Sequence, residues 1–137
     1  MRYSRDNMAG LLRSHDINPT HQRIEIAYAL FSRMEHLSAD QVMALVNVHH
    51  SETSKATVYN TLNLFLQKGL IREVIVDPNK VFYDPNTRPH HHLYDVESGH
   101  LTDVDAEDIH ISGLPPLPEG AALEGIDLIV RIRKAGR

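Results

Sequence analysis

Apolar residues recur at helical spacing through the first half of the chain and then give way to strand-like runs. Met8, Leu11 and Leu12 share one face of a short helix over residues 5–15. Asn18-Pro19-Thr20 marks a turn and a new helix start. Ile24, Ala27, Tyr28 and Phe31 follow on one helical face, with Leu30 and Met34 beside them. Ser38 with Gln41 three residues on is a capping box, and Val42, Leu45, Val46 and His49 continue that helix. The polar stretch His49–Ser54 interrupts the pattern, and His49 and His50 read as loop residues. A fourth helix runs from Lys55 to Lys68 on Val58, Leu62, Phe65 and Leu66, with Gly69 placed to end it. Two β-rich segments around the Asp77–Lys80 turn then predict a hairpin. Helices followed by a two-stranded hairpin give the order of a winged helix-turn-helix.

The remainder reads differently. Asp84–Pro89 holds two prolines and no apolar residue, which suits a hinge at 85–89. An extended HHHLYDV segment sends His90 and His92 to one side and His91 to the other. Ser98-Gly99 predicts a turn, so that HLTDV returns as a second strand and brings Asp103 to the His90/His92 side. Ser112–Gly120 is a proline-rich loop. The final IDLIVRIRK predicts a strand with Ile126, Leu128, Val130 and Ile132 on one face.

Composition narrows the chemistry. The 137 residues contain no cysteine, which excludes disulfides, Cys-ligated zinc and a thiolate nucleophile. There is neither an apolar signal-type leader nor an apolar run long enough to span a bilayer, so a cytoplasmic protein with no membrane partner is expected. Net charge is −4, but residues 1–76 carry +1 and residues 77–137 carry −5. Nucleic-acid affinity depends on where cations sit rather than on their total. In a winged helix the fourth helix enters the major groove, which nominates Lys55, Thr57, Tyr59 and Asn60, with Arg13 and Arg23 for flanking phosphates or the minor groove. In the acidic half, three consecutive imidazoles near Asp84 and Asp103 form a nitrogen/oxygen donor set suited to Fe, Mn or Zn as divalent ions. A metalloenzyme or a metal carrier would use similar donors, but no HExxH motif, nucleophile elbow or candidate general base is present, so no enzyme is expected.

Asn-Pro-Thr-His-Gln-Arg (18–23), His36-Leu-Ser-Ala-Asp (36–40), Lys-Ala-Thr-Val-Tyr-Asn-Thr-Leu (55–62), Gly69-Leu70-Ile71 and His90-His91-His92 occur here in the order found in the ferric uptake regulator (Fur) family, which this chain resembles over most of its length. The resemblance implies an α+β protein: a winged-helix DNA-binding domain over 1–84 and a small C-terminal α/β dimerisation domain over 90–137. It implies a homodimeric, metal-responsive transcriptional regulator, mainly a repressor, on palindromic double-stranded operator DNA. Carried over residue by residue, its regulatory metal site becomes His36, Asp84, His90, His92 and Asp103. A second site falls on His91 and His110, with Asp127 or Glu124 as further donors. Asn60 after the helix tyrosine, the triple histidine and the tail resemble the iron response regulator (Irr) branch, which implies control of iron and haem genes and haem ligation by His90 and His92. Peroxide- or manganese-responsive repression is the family's alternative. Asp95 and Ser98 stand where many relatives have a zinc-binding Cys-x-x-Cys pair, so no structural zinc held by four cysteines is expected. The helix usual after Asp103 is replaced by the proline-rich segment.

Overall fold

A computed structural model describes residues 3–48 and 53–136, which leaves His49 and His50, read above as loop residues, outside the described residues. The chain divides into two compact units, 1–87 and 88–137. Among the described residues the first unit holds four helices and a hairpin: α1 (Arg5–Ser14), α2 (His21–Phe31), α3 (Ala39–Asn47), α4 (Lys55–Gln67), β1 (Arg72–Asp77) and β2 (Lys80–Asp84). The second holds β3 (His90–Asp95), β4 (Leu101–Asp105), a single 3-10 turn at Ala106–Asp108 and β5 (Ile129–Ile132). None of the described helices is long and apolar enough to cross a membrane.

The helix starts follow local chemistry. Thr20, Ser38 and Ser54 each accept a hydrogen bond from a backbone amide of the first turn, and Gln41 returns the bond to the Ser38 amide. α4 ends where Gly69 takes φ +74, a left-handed conformation that costs a glycine little. Leu70 then donates back to the Phe65 carbonyl at 3.0 Å, and the chain turns into the hairpin.

Met8, Leu12, Ile26, Leu30, Val42, Val58, Leu62 and Phe65 form the centre of the first unit's core. Two expectations about side chains change here. The buried side of α2 is centred on Ile26, Ala27 and Leu30, while Ile24 and Tyr28 are only partly buried. The physical reason is that α1, α3 and α4 all pack against this helix, so apolar periodicity no longer marks a single inward face. Even Glu25 is buried there, paired with Arg5 at 2.9 Å. Met34 lies beyond the helix end with φ +51 and is exposed.

The second unit is a three-stranded sheet in the order β4-β3-β5. β3 and β4 are antiparallel and β3 and β5 parallel, the latter in the register His92↔Ile129 to Asp95↔Ile132. A parallel neighbour requires a long connection, which residues 96–128, with β4 among them, provide. The C-terminal strand is shorter than the apolar alternation predicts. Ile126 and Leu128 precede it, because the backbone ladder with β3 begins only at His92↔Ile129 and the Leu128 amide donates to the His91 ring instead; Val130 and Ile132 are 38% and 42% exposed.

Candidate metal centre and nucleic-acid interface

In the first unit, the backbones of Leu37 and Tyr83 exchange hydrogen bonds of 3.2 and 2.7 Å, although they lie far apart in sequence. That antiparallel bridge sets the adjoining residues, His36 and Asp84, side by side. His36 Nε2 lies 3.2 Å from Asp84 Oδ2, with side chains 10% and 2% exposed. The other carboxylate oxygen, Oδ1, accepts the Asn86 amide at 2.9 Å and holds the turn that leaves β2. A carboxylate buried this deeply is tolerated where hydrogen bonds, an opposite charge, a bound cation or protonation compensates it, and the Asn86 amide supplies one such bond. Just before it, burial pushes the Tyr83 phenol above its usual range, with help from Glu73 and Tyr59.

In the second unit, strand alternation and register build the other group. His90 and His92 project on one side of β3, and His92 pairs across the ladder with Asp103. Both Nε2 atoms stand 3.4 Å from the same oxygen, Asp103 Oδ1, and the two rings meet edge to face with centroids 4.5 Å apart. The imidazoles are buried while the Asp103 side chain is 40% exposed. His90 Nδ1 donates to the Arg88 carbonyl, since a carbonyl can only accept. In the neutral ring this leaves the Nε2 lone pair directed at the carboxylate, the orientation second-sphere hydrogen bonds give to metal-ligating histidines. Two imidazole nitrogens and a carboxylate oxygen suit Fe(II), Mn(II) or Zn(II), and the His36/Asp84 pair offers the same donor types.

The other nominated donors behave differently. His91 faces away from this group, and its Nδ1 accepts the Leu128 amide at 3.1 Å. His110 is exposed, and no group of three or more donors forms around His91 and His110 among the described residues. Asp95 and Ser98, where the family resemblance led to the expectation of no cysteine-held zinc, form a hydrogen-bonded turn. Asp95 Oδ1 accepts the amides of Glu97 and Ser98, and Ser98 Oγ accepts the amide of His100. Those backbone amides hold the Asp95 carboxyl below the ordinary carboxylate range, and Gly99 closes the turn with φ +76.

The nominated DNA-contacting residues occupy the first half of α4 and its surroundings. Lys55, Tyr59 and Asn60 are exposed, and Tyr59 is not a core residue. Thr57, Asn60 and Arg23 line one groove together with Thr20, Gln22 and Leu64. Arg23 is steadied by a 2.9 Å bond to the Asn18 carbonyl, and the Thr57 hydroxyl lies 2.9 Å from that of Ser54. Lys55 stands 5.9 Å above the Tyr59 ring, and Tyr59 borders a second groove with Lys80 at the hairpin turn. Arg13, exposed on α1, lines neither groove. Sequence reasoning missed Gln22 and Lys80, both on the exposed polar surface, and the Arg88 carbonyl, which no side-chain pattern reports.

The model of the Ferric uptake regulator family matches residues 14–117. The chain belongs to that family. Within it, the chain is 30% identical over 92 residues to the peroxide-responsive repressor PerR of Staphylococcus aureus (strain Mu50 / ATCC 700699), a match covering 67% of this chain and 62% of the relative. The chain thus spans less than two thirds of the length of the curated relatives it matches. Among solved structures, the ferric uptake regulator of Francisella tularensis with iron shares the fold with a TM-score of 0.71 at 24% identity, over 87% of this chain and 92% of that one. The Pseudomonas aeruginosa ferric uptake regulator with manganese gives a TM-score of 0.68 at 21% identity, over 93% and 98%.

Proposed function

We propose that this chain is a metal-responsive transcriptional regulator, not an enzyme, that binds double-stranded DNA as a homodimer. The observation that carries the reading is the convergence of His90 and His92 Nε2 on Asp103 Oδ1, with His90 oriented by the Arg88 carbonyl. One divalent cation would be held by these three residues with His36 and Asp84, the donor set that the family resemblance implies. The ion would accept lone pairs from three imidazoles and offset the charge of two carboxylates, and so favour one arrangement of the reading heads. What it contributes to control is the difference in its affinity between arrangements, not the affinity itself.

DNA recognition is assigned to the exposed first half of α4. Lys55 and Arg23 suit phosphate, Tyr59 and Thr57 offer a ring and a hydroxyl, and Asn60 presents an amide that can pair with adenine. The two heads of a homodimer would address the halves of a palindromic operator. The names of the relatives frame the finer choice: a peroxide-responsive repressor on one side and iron- or manganese-bound regulators on the other. Asn60, the triple histidine and the tail favour the Irr-like reading, in which iron and haem genes are controlled and His90 and His92 take haem.

The test is selection from a randomised duplex library by the full chain, with Mn(II), with haem, and with neither. A palindromic motif should be enriched, its binding should change with ligand, and its affinity should fall steeply with salt. No enrichment at low salt under any of the three conditions removes the DNA reading. A response to haem and none to Mn(II) favours the haem alternative.

A further inference from the structure

The middle histidine of the triple run is engaged in a contact that neither metal binding nor DNA binding accounts for. His91 is 6% exposed, and its Nδ1 accepts the backbone amide of Leu128 at 3.1 Å. The next residue of the same strand, His92, donates its backbone amide to the Leu128 carbonyl at 3.0 Å. Both main-chain polar groups of Leu128 are therefore held by consecutive residues of β3. Leu128 immediately precedes β5, which pairs with β3 over His92–Asp95. A parallel ladder normally continues through backbone carbonyls of the neighbouring strand. Here a ring nitrogen takes that place and satisfies an amide that would otherwise stand unpaired at the strand's start. An accepting Nδ1 puts the ring proton of neutral His91 on Nε2. This describes a clasp through Nδ1.

We propose that His91 is a positioning residue that fastens β5 to the ligand strand, so that cation capture by His90 and His92 on one side of β3 also orders the C-terminal strand on its edge. The inference rests on the metal-responsive reading above. Alternation along the strand makes it possible, because the residues flanking His91 face the donor group while His91 faces away from it. The segment being ordered is not inert, since β5 is an outer strand of its sheet and carries the exposed Val130 and Ile132. Linkage requires reciprocity: if the ion steadies β5 through His91, releasing β5 must weaken the ion by the same factor.

Hydrogen–deuterium exchange of the full chain, with and without Mn(II), tests this in wild type, His91→Ala, His91→Asn and His91→Gln. Asparagine places an acceptor near the position of Nδ1, whereas glutamine reaches toward that of Nε2. In wild type, Mn(II) should slow exchange of amides 128–132 together with 91–94, by about tenfold. In His91→Ala it should slow only 91–94, with Mn(II) bound about tenfold more weakly. His91→Asn should restore the effect on 128–132 and His91→Gln should not; this pair decides the matter if the alanine variant does not fold. Equal protection of both segments in every variant, or asparagine behaving as glutamine does, overturns the clasp while leaving the metal reading intact. Absence of any Mn(II) effect on 91–94 in wild type overturns both.

Discussion

With His92 replaced by alanine, the protein is expected to hold Mn(II) more than about a hundredfold more weakly than the wild type, since loss of a direct ligand should exceed the roughly 10–100-fold typical of outer-sphere changes. His92 is the most buried of the three imidazoles, and its Nε2 shares Asp103 Oδ1 with that of His90 at equal distance. Removing it leaves one imidazole and one half-exposed carboxylate in the second unit. The fold should survive, because the backbone ladder of β3 does not use the side chain. Competition against a fluorescent chelator reads the affinity, and far-ultraviolet circular dichroism checks the fold. Unchanged affinity in a folded variant would remove His92 from the ligand set. Asp103→Asn should produce a loss in the same direction, because the amide keeps one oxygen donor and gives up the charge.

Phe65→Ala is expected to destabilise the protein by about 3–5 kcal/mol, the usual cost of deleting a fully buried aromatic side chain. Phe65 is 0% exposed and shares the core with Met8, Leu12, Ile26 and Leu62. A small domain holds only about 5–15 kcal/mol in total, so the variant should be partly unfolded at physiological temperature. Leu66→Ala, one residue on and only partly buried, should cost clearly less. Urea unfolding would show the difference as a lower midpoint with a similar slope. A Phe65→Ala loss below about 1 kcal/mol would mean that the cavity collapses, contrary to the close packing assigned to this core.

How much of this was legible in the sequence varies with the range of the interaction that decides it. Helix starts at Thr20, Ser38 and Ser54, the end of α4 at Gly69 and both hairpins are written in local residues, and all appear where those residues put them. The His90/His92 side and its meeting with Asp103 were also legible, since strand alternation and a turn at Ser98-Gly99 fix the register. The inward side of α2 was not, because helices on several sides blur its periodicity. Nor was the length of β5, which is set by a parallel partner distant in the chain. The juxtaposition of His36 and Asp84 depends on the Leu37–Tyr83 bridge, and no local pattern announces it; the family resemblance alone nominated His36. The contact of His91 with Leu128 lay beyond the same limit. From sequence it is one histidine of three, and only the placement of Leu128 shows what its ring nitrogen holds.

Whether donors from the two units serve a single ion is decided most directly by titrating Mn(II) into His36→Ala beside wild type and His90→Ala. A shared ion requires one Mn(II) per wild-type chain and a loss in His36→Ala of the same order as in His90→Ala. Wild-type affinity in His36→Ala, with binding lost in His90→Ala, would contradict it.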